Sequence, residues 1–76
     1  MVIVYSVDEC PWCHKVKKYL ESKEVEYEER NIDFNEDFAN ECYKLSGDTL
    51  VPVTTIDGEE YVVGFDKKKL DELLCL

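Results

Sequence analysis

Two cysteines separated by two residues stand between a strand-like and a helix-like segment near the N-terminus. The run from Met1 to Tyr5 is continuous, apolar and rich in β-branched residues, which is typical of a central strand covered on both faces. After Cys10 and Cys13, apolar residues recur at helical spacing as far as about Lys23. A Cys-x-x-Cys at a strand-to-helix turn is typical of a redox site, and it predicts a fold that opens with a strand followed by a helix.

The middle of the chain predicts a second strand and a second helix. Apolar and acidic residues alternate between Val25 and Ile32, which indicates a strand with one exposed face, at the edge of a sheet. Asp33 and Glu36 have the spacing of a capping box, and Ser46-Gly47 is a helix-ending signal. Between them runs an apolar stripe at helical spacing: Phe34, Phe38, Cys42 and Leu45.

The last third predicts a hairpin and a final helix. The runs 51–56 and 60–63 are strand-like, and the Asp57-Gly58 pair between them is a strong hairpin signal. Asp66 can cap a helix whose buried stripe is Leu70, Leu73 and Leu74. The order is βαβαββα, which predicts an α/β fold in a single domain, 1–76: a four-stranded mixed sheet with helices on both faces.

Composition and charge exclude several classes of function. Eighteen acidic and nine basic residues give a formal net charge of −9, which opposes binding to nucleic acids and to anionic lipid surfaces. The longest apolar run, 1–5, is far shorter than the ~20 residues of a membrane span. One close cysteine pair and two single cysteines fit a reducing compartment better than a secreted disulfide scaffold. These observations predict a cytoplasmic protein, and we expect it to be a monomer.

The cysteine motif itself predicts a chemistry. Pro11 fits the first position of a helix, so Cys10 becomes the N-cap, and its sulfur faces the free backbone N–H groups of Trp12 and Cys13. These donors and the helix dipole favour a thiolate, which makes Cys10 the predicted nucleophile, although two acidic residues directly before it work against this. Cys13, one turn further and less exposed, is predicted to resolve the mixed disulfide.

Three other interpretations of the motif are weaker. Two inert core cysteines are unexpected at a strand-to-helix turn. Cys10 to His14 matches the Cys-x-x-Cys-His of c-type haem attachment, but Met1 is the only methionine and no second histidine exists as an axial ligand. Cys10, Cys13 and His14 are too clustered for a zinc site, and a second Cys-x-x-Cys is absent, so no metal is expected.

The motif and the element order together resemble the glutaredoxins, a small branch of the thioredoxin-like fold. Glutaredoxins usually have Cys-Pro-Tyr-Cys where this chain has Cys10-Pro11-Trp12-Cys13, and Thr-Val-Pro where it has Leu50-Val51-Pro52. A weaker match is Val63-Gly64-Phe65-Asp66, where they have two glycines and an acidic residue. The resemblance covers nearly the whole length and implies a thiol–disulfide oxidoreductase that acts on protein disulfides.

The resemblance also implies how substrate binds. Val51-Pro52 would be a cis peptide, and the Val51 backbone would pair with glutathione, the implied reductant. Trp12 would lie beside the glutathione tripeptide. The γ-glutamyl end of glutathione would meet the segment formed by Gly64, Phe65 and Asp66. No bound cofactor is implied.

The chain departs from the glutaredoxin pattern in ways that keep alternatives open. Val63 replaces the first glycine, and Lys67 falls where an acid would meet the glutathione ammonium. Gly64-Phe65 is similar to the endings of redoxins that take electrons from thioredoxin reductase and serve ribonucleotide reductase, whereas Trp12 favours the glutaredoxins. A third alternative is a non-catalytic thiol module that holds metal or an iron–sulfur cluster, but such relatives typically lack the second cysteine, Cys13.

The remaining candidates are assigned no chemistry. His14 and the helix lysines are predicted to be solvated, Cys42 is expected to be a small core residue, and Cys75 lies in the C-terminal tail. Three aromatic residues are expected in the core: Tyr5, Phe38 and Tyr43.

Overall fold

The helices and strands follow one another in the predicted order. The computed structural model describes residues 2–47, 50–56, 58 and 60–75. The elements are β1 (Val2–Ser6), α1 (Pro11–Ser22), β2 (Tyr27–Asn31), α2 (Glu36–Ser46), β3 (Val53–Thr55), β4 (Tyr61–Val63) and α3 (Lys67–Leu74). In the described part of the chain, no helix is long and apolar enough to cross a bilayer.

The sheet is mixed, with the strand order β2-β1-β3-β4. β1 is parallel to β2, with Val2 opposite Tyr27, and the two strands are joined through α1. β3 is antiparallel to both its neighbours, and Val53 lies opposite Tyr5 of β1 and Val63 of β4. The C-terminal ends of β1, β2 and β4 therefore lie at the same edge of the sheet as the start of β3. The cysteine motif follows β1 at this edge.

Helices cover both faces of the sheet, as the element order predicted. On one face α1 and α3 pack against alternate residues of β1 and β4, and the buried residues there are Val2, Val4, Val16, Leu20, Val62 and Leu70. On the other face α2 places Cys42 against Tyr5 and Val53. The prediction that Cys42 is a core residue is confirmed.

The start of α2 differs from the prediction. Its N-cap is Asn35, whose backbone is extended and whose side-chain oxygen accepts from the N–H groups of Asp37, at 2.9 Å, and Phe38. Asp33, the predicted cap, lies two residues too early to reach the free N–H groups of the first turn. Its own N–H instead donates to the Asn31 side chain at 2.9 Å. The predicted helix end is confirmed, because Gly47 takes the left-handed conformation, with φ 79°, that glycine adopts at low cost.

Two aromatic residues and the bounds of three strands also differ. Phe34 precedes α2 and is 76% exposed, and Tyr43 is 57% exposed, so the predictions that placed Phe34 on the buried stripe and Tyr43 in the core are wrong. The observed strands β2, β3 and β4 are shorter than the segments that predicted them, because pairing ends where the chain turns away from its neighbour. The β3–β4 hairpin is present, whereas Asp57 of its predicted turn lies outside the described residues.

Candidate active site

Cys10 is the N-cap of α1. Its backbone is extended (φ −112°, ψ 102°), Pro11 occupies the first turn, and the Cys13 N–H donates to the Cys10 Sγ atom at 3.1 Å. Of the two predicted donors, Cys13 makes this bond. A sulfur in this position faces the positive end of the helix dipole, so the thiolate form of Cys10 is favoured.

The two sulfur atoms of the motif are bonded to each other. Cys10 and Cys13 form a disulfide with their Cα atoms 5.2 Å apart. Cys10 keeps 9% of its surface exposed and Cys13 only 1%. A substrate disulfide therefore reaches Cys10 more readily than Cys13, which is the asymmetry that a nucleophilic and a resolving thiol require.

The loop before Cys10 is fixed by a contact from β2. The amide of Asn31, at the end of β2, donates to the Asp8 carboxylate at 3.0 Å. Glu9 follows with a φ of 54°, a left-handed conformation that turns the chain into the helix cap. Both carboxylates are exposed, so solvent weakens their unfavourable effect on a Cys10 thiolate.

Trp12 lies between the two cysteines and projects into solvent. It is 55% exposed, and the Lys15 Nζ atom lies 4.3 Å from the centre of its ring. The contact orients the indole from one side. An exposed aromatic ring beside a disulfide is available to pack against a bound peptide.

The second part of the site begins at the start of β3. The Val51-Pro52 peptide bond is cis, as the resemblance implied, and Pro52 is buried. The Gly64 N–H donates to the Pro52 carbonyl oxygen at 2.7 Å. Gly64 has a φ of 80°, which favours glycine at the turn out of β4. The sheet register thus brings Val51, Pro52 and Gly64 to the same edge as the cysteine motif.

Phe65 and Asp66 are already engaged in holding α3. The Phe65 ring packs edge-to-face on Tyr19 of α1, with ring centres 5.9 Å apart. Asp66 caps α3, since its carboxylate accepts from the Lys69 N–H at 3.1 Å, which confirms the predicted cap. The ammonium of Lys67 lies about 6 Å from both aromatic rings. These residues lie beside the site with their side chains turned toward α1 and α3.

One charged group near the motif was not anticipated from the sequence. The Glu29 carboxylate on β2 accepts from Lys17 of α1 and from Ser6 of β1. These two bonds hold the pKa of Glu29 below its ordinary value, the bond from Lys17 contributing most. Because the folded state lowers this pKa, the contact stabilises the fold at neutral pH and loses that contribution as the pH falls through the lowered value. Lys17 is half-buried and paired, unlike the exposed His14, Lys15 and Lys18.

Within the described ranges, no group of three or more His, Cys, Asp or Glu residues is arranged to hold a metal ion. Outside the motif, the described cysteines are Cys42, which is buried, and Cys75, which is exposed. The Cys10–Cys13 pair offers thiol–disulfide exchange.

Comparison with known proteins places this site in a family. A family model described as Glutaredoxin matches residues 2–62. An uncharacterized glutaredoxin-like 8.6 kDa protein of the rubredoxin operon of Clostridium pasteurianum is 39% identical over 74 residues, which is 97% of each chain. The glutaredoxin-like protein NrdH of Lactococcus lactis is 36% identical over 96% of this chain and 99% of its own.

The fold has close structural relatives as well. The crystal structure of the glutaredoxin of Methanosarcina mazei superposes with a TM-score of 0.90 at 30% identity, over 99% of this chain and 78% of that one. The fold and the cysteine pair together define a thioredoxin-like thiol–disulfide oxidoreductase. The chain belongs to the glutaredoxin family.

Proposed function

We propose that the chain is a glutathione-linked dithiol oxidoreductase that reduces protein disulfides and mixed disulfides in the cytoplasm. The Cys10 thiolate attacks a substrate disulfide and forms a mixed disulfide, and one substrate sulfur leaves as a thiol. The Cys13 thiol then attacks Cys10, which releases the second substrate sulfur and leaves the Cys10–Cys13 disulfide. Two molecules of glutathione re-reduce that disulfide and become glutathione disulfide.

One observation carries the proposal: the Cys10 Sγ atom sits at the N-cap of α1, accepts the Cys13 N–H and is bonded to Cys13. The same edge of the sheet presents Trp12 and the Val51 backbone, with which an extended tripeptide can pack and pair. Gly64, Phe65 and Asp66 would border its γ-glutamyl end. No metal or flavin takes part.

Trp12 provides the first experiment, because it is the only tryptophan and lies between the two cysteines. Oxidised protein is titrated with glutathione redox buffers while Trp12 fluorescence is followed and the thiol number is checked by intact mass. We expect a reversible two-electron transition. A protein that stays oxidised at every glutathione ratio, yet is reduced by dithiothreitol, would contradict the glutathione-linked function.

A second experiment tests the order of attack. In a Cys75→Ser background, which removes the exposed fourth thiol, Cys13→Ser should accumulate a mixed disulfide on Cys10, because the resolving thiol is missing. The matched variant Cys10→Ser should accumulate none. Peptide mapping by mass spectrometry locates the adduct, and an adduct on Cys13 in the Cys10→Ser protein would reverse the assignment.

A second candidate function is electron transfer from thioredoxin reductase to ribonucleotide reductase. The Val63-Gly64-Phe65 segment and the similarity to the NrdH protein of Lactococcus lactis favour it. The two candidates use the same cysteines and differ in their reductant. Rapid reduction of the oxidised chain by thioredoxin reductase and NADPH, with no reduction by glutathione, would select this second function.

A further inference from the structure

A three-residue network joins the two ends of the segment that carries the active cysteines. Ser6 is the last residue of β1, four positions before Cys10, and Lys17 lies four positions after Cys13. The Ser6 hydroxyl donates to the Glu29 Oε2 atom at 2.8 Å, and the Lys17 Nζ atom donates to the same oxygen at 2.7 Å. One carboxylate of β2 therefore holds both β1 and α1.

The network is partly shielded from solvent, so its charges are screened less than those of fully exposed residues. Ser6 is fully buried and Lys17 is half-buried, while Glu29 closes the network at the surface. Its lowered pKa keeps Glu29 ionised at neutral pH. The carboxylate consequently neutralises the Lys17 ammonium.

Lys17 lies on the same side of α1 as the resolving cysteine. Residues four apart on a helix face the same way, with their Cβ atoms about 5–6 Å apart. An unpaired ammonium on this side of the helix would stabilise a thiolate of the pair. Stabilising the reduced form makes a disulfide a stronger oxidant, as thiolate stabilisation does in other dithiol proteins.

We propose that Glu29, by neutralising Lys17, is a positioning residue that keeps the Cys10–Cys13 pair strongly reducing. The inference rests on the proposed dithiol exchange, but it is independent of the physiological reductant. Glu29 acts through Lys17 and Ser6 and does not touch the substrate.

Other charged residues surround the motif in the chain and in the fold, and the experiment leaves them unchanged. His14 follows Cys13 and acts electrostatically on Glu29. Asp8 and Glu9 precede Cys10, Lys15 lies on Trp12, and the opposite side of the site carries Asp66 and Lys67. Differences among variants of the network therefore report Glu29 and Lys17.

The test is a redox titration of Glu29→Gln, Lys17→Met and the double variant against dithiothreitol. Oxidised dithiothreitol takes two electrons and two protons from Cys10 and Cys13, and its S–S bond breaks as the protein disulfide forms. With Glu29→Gln we expect the equilibrium constant for protein disulfide formation to fall about twofold to threefold, the effect in an aqueous environment of a unit charge roughly 6 to 10 Å away. The pKa of Cys10, measured from the pH dependence of its alkylation rate, should fall with it.

Lys17→Met should shift both quantities in the opposite direction, because an unpaired carboxylate is then left on the side of the sheet that α1 covers. The double variant should return close to the wild-type values. A purely structural clamp predicts a different pattern: both single variants would loosen the cysteine segment, shift the equilibrium the same way and resemble the double variant. That pattern, or no shift in either single variant, would overturn the proposal.

Matched controls separate this effect from a general change of charge. Glu28→Gln removes the same charge from the neighbouring position of β2, which faces the other side of the sheet, and Lys18→Met removes one from the exposed side of α1. Both should leave the equilibrium within the error of the titration. Dithiothreitol reports the equilibrium even if glutathione proves a poor reductant, so failure here and failure of the glutathione-linked function are distinguishable.

Discussion

At the scale of single residues, two adjacent threonines of β3 have opposite hydrogen-bonding states. Both are buried. The Thr55 hydroxyl donates to the Glu60 carbonyl oxygen at 2.6 Å and accepts from the Gly58 N–H at 3.0 Å. The Thr54 hydroxyl has no hydrogen-bond partner among the residues that the structure describes. A buried hydroxyl without a partner lowers stability, whereas a satisfied hydroxyl supports it.

We therefore predict that Thr54→Val raises the free energy of unfolding by about 1 kcal/mol, because valine keeps the shape and removes the unpaired hydroxyl. Thr55→Val should lower it by about 1–3 kcal/mol, because the Glu60 carbonyl and the Gly58 N–H lose their partner. Urea unfolding of the reduced proteins measures both changes. Equal losses in the two variants would contradict the hydrogen-bond assignment.

Lys67 provides a second prediction at this scale. If glutathione binds with its ammonium near the start of α3, Lys67→Asp replaces a repulsion by an attraction at an exposed position. We expect the KM for glutathione to fall about threefold to tenfold, the range of one exposed ion pair and one removed repulsion. Steady-state kinetics with a fixed disulfide substrate measures it.

Two further variants show whether the effect of Lys67→Asp depends on its position and on the added carboxylate. Lys68→Asp makes the same charge change one residue further along α3 and should have a smaller effect. Lys67→Met removes the ammonium that lies over Tyr19 and Phe65 without adding a carboxylate. Unchanged kinetics in Lys67→Asp would discredit the position assigned to the glutathione ammonium.

At the scale of elements, each described helix starts at a side chain that accepts N–H groups of its own first turn. The three caps are chemically different: a cysteine for α1, an asparagine for α2 and an aspartate for α3. Only the cysteine cap carries redox chemistry, because its sulfur is also the reacting atom. With cysteine as the N-cap of α1, the atom that accepts the N–H group is also the nucleophile.

The N-cap of α2 provides a prediction at this scale. Asn35→Ala should lower the free energy of unfolding by about 1 kcal/mol, because two N–H groups of the first turn lose their acceptor. Asp33→Ala, at the position that the capping-box pattern selected, should change it by less than about 0.5 kcal/mol. Thermal and urea unfolding compare the two variants. A larger loss in Asp33→Ala would return the cap to that residue.

At the scale of the whole molecule, the net charge of −9 works against the compact state. Surface ion pairs, such as those of Arg30 with Glu28 and Glu41, offset part of this repulsion. Salt screens both the repulsion and the ion pairs, but the repulsion among many separated carboxylates acts over longer distances than the attraction within a contact pair. Screening therefore removes more repulsion than attraction.

We predict that raising the NaCl concentration from about 10 to 150 mM raises the Tm by roughly 2–4 °C, which corresponds to about 0.5 kcal/mol in a domain of this size. Differential scanning calorimetry at pH 7 measures the change, and KCl should give the same result if screening is the cause. A fall in Tm would mean that the surface ion pairs outweigh the net repulsion.

The features fixed by short-range physics could be predicted from the sequence. The apolar runs and helical stripes placed the helices and strands in the correct order, since side-chain periodicity follows from backbone geometry. Pro11 placed Cys10 at a helix N-cap, because proline fits the first turn and leaves the preceding residue as the cap. Asp66 begins α3 and Gly47 ends α2 as predicted, for equally local reasons.

Features that depend on which elements become neighbours were decided by the tertiary structure alone. Glu29 pairs with Lys17 and Ser6 only because β2 lies beside β1 with α1 packed over them, so the acidic stretch in which it occurs carries no sign of the contact. Phe34 is exposed because α2 begins after it, and Tyr43 because α2 turns it away from the sheet. Periodicity determines which residues share a face, whereas packing determines which faces are covered and which charges meet.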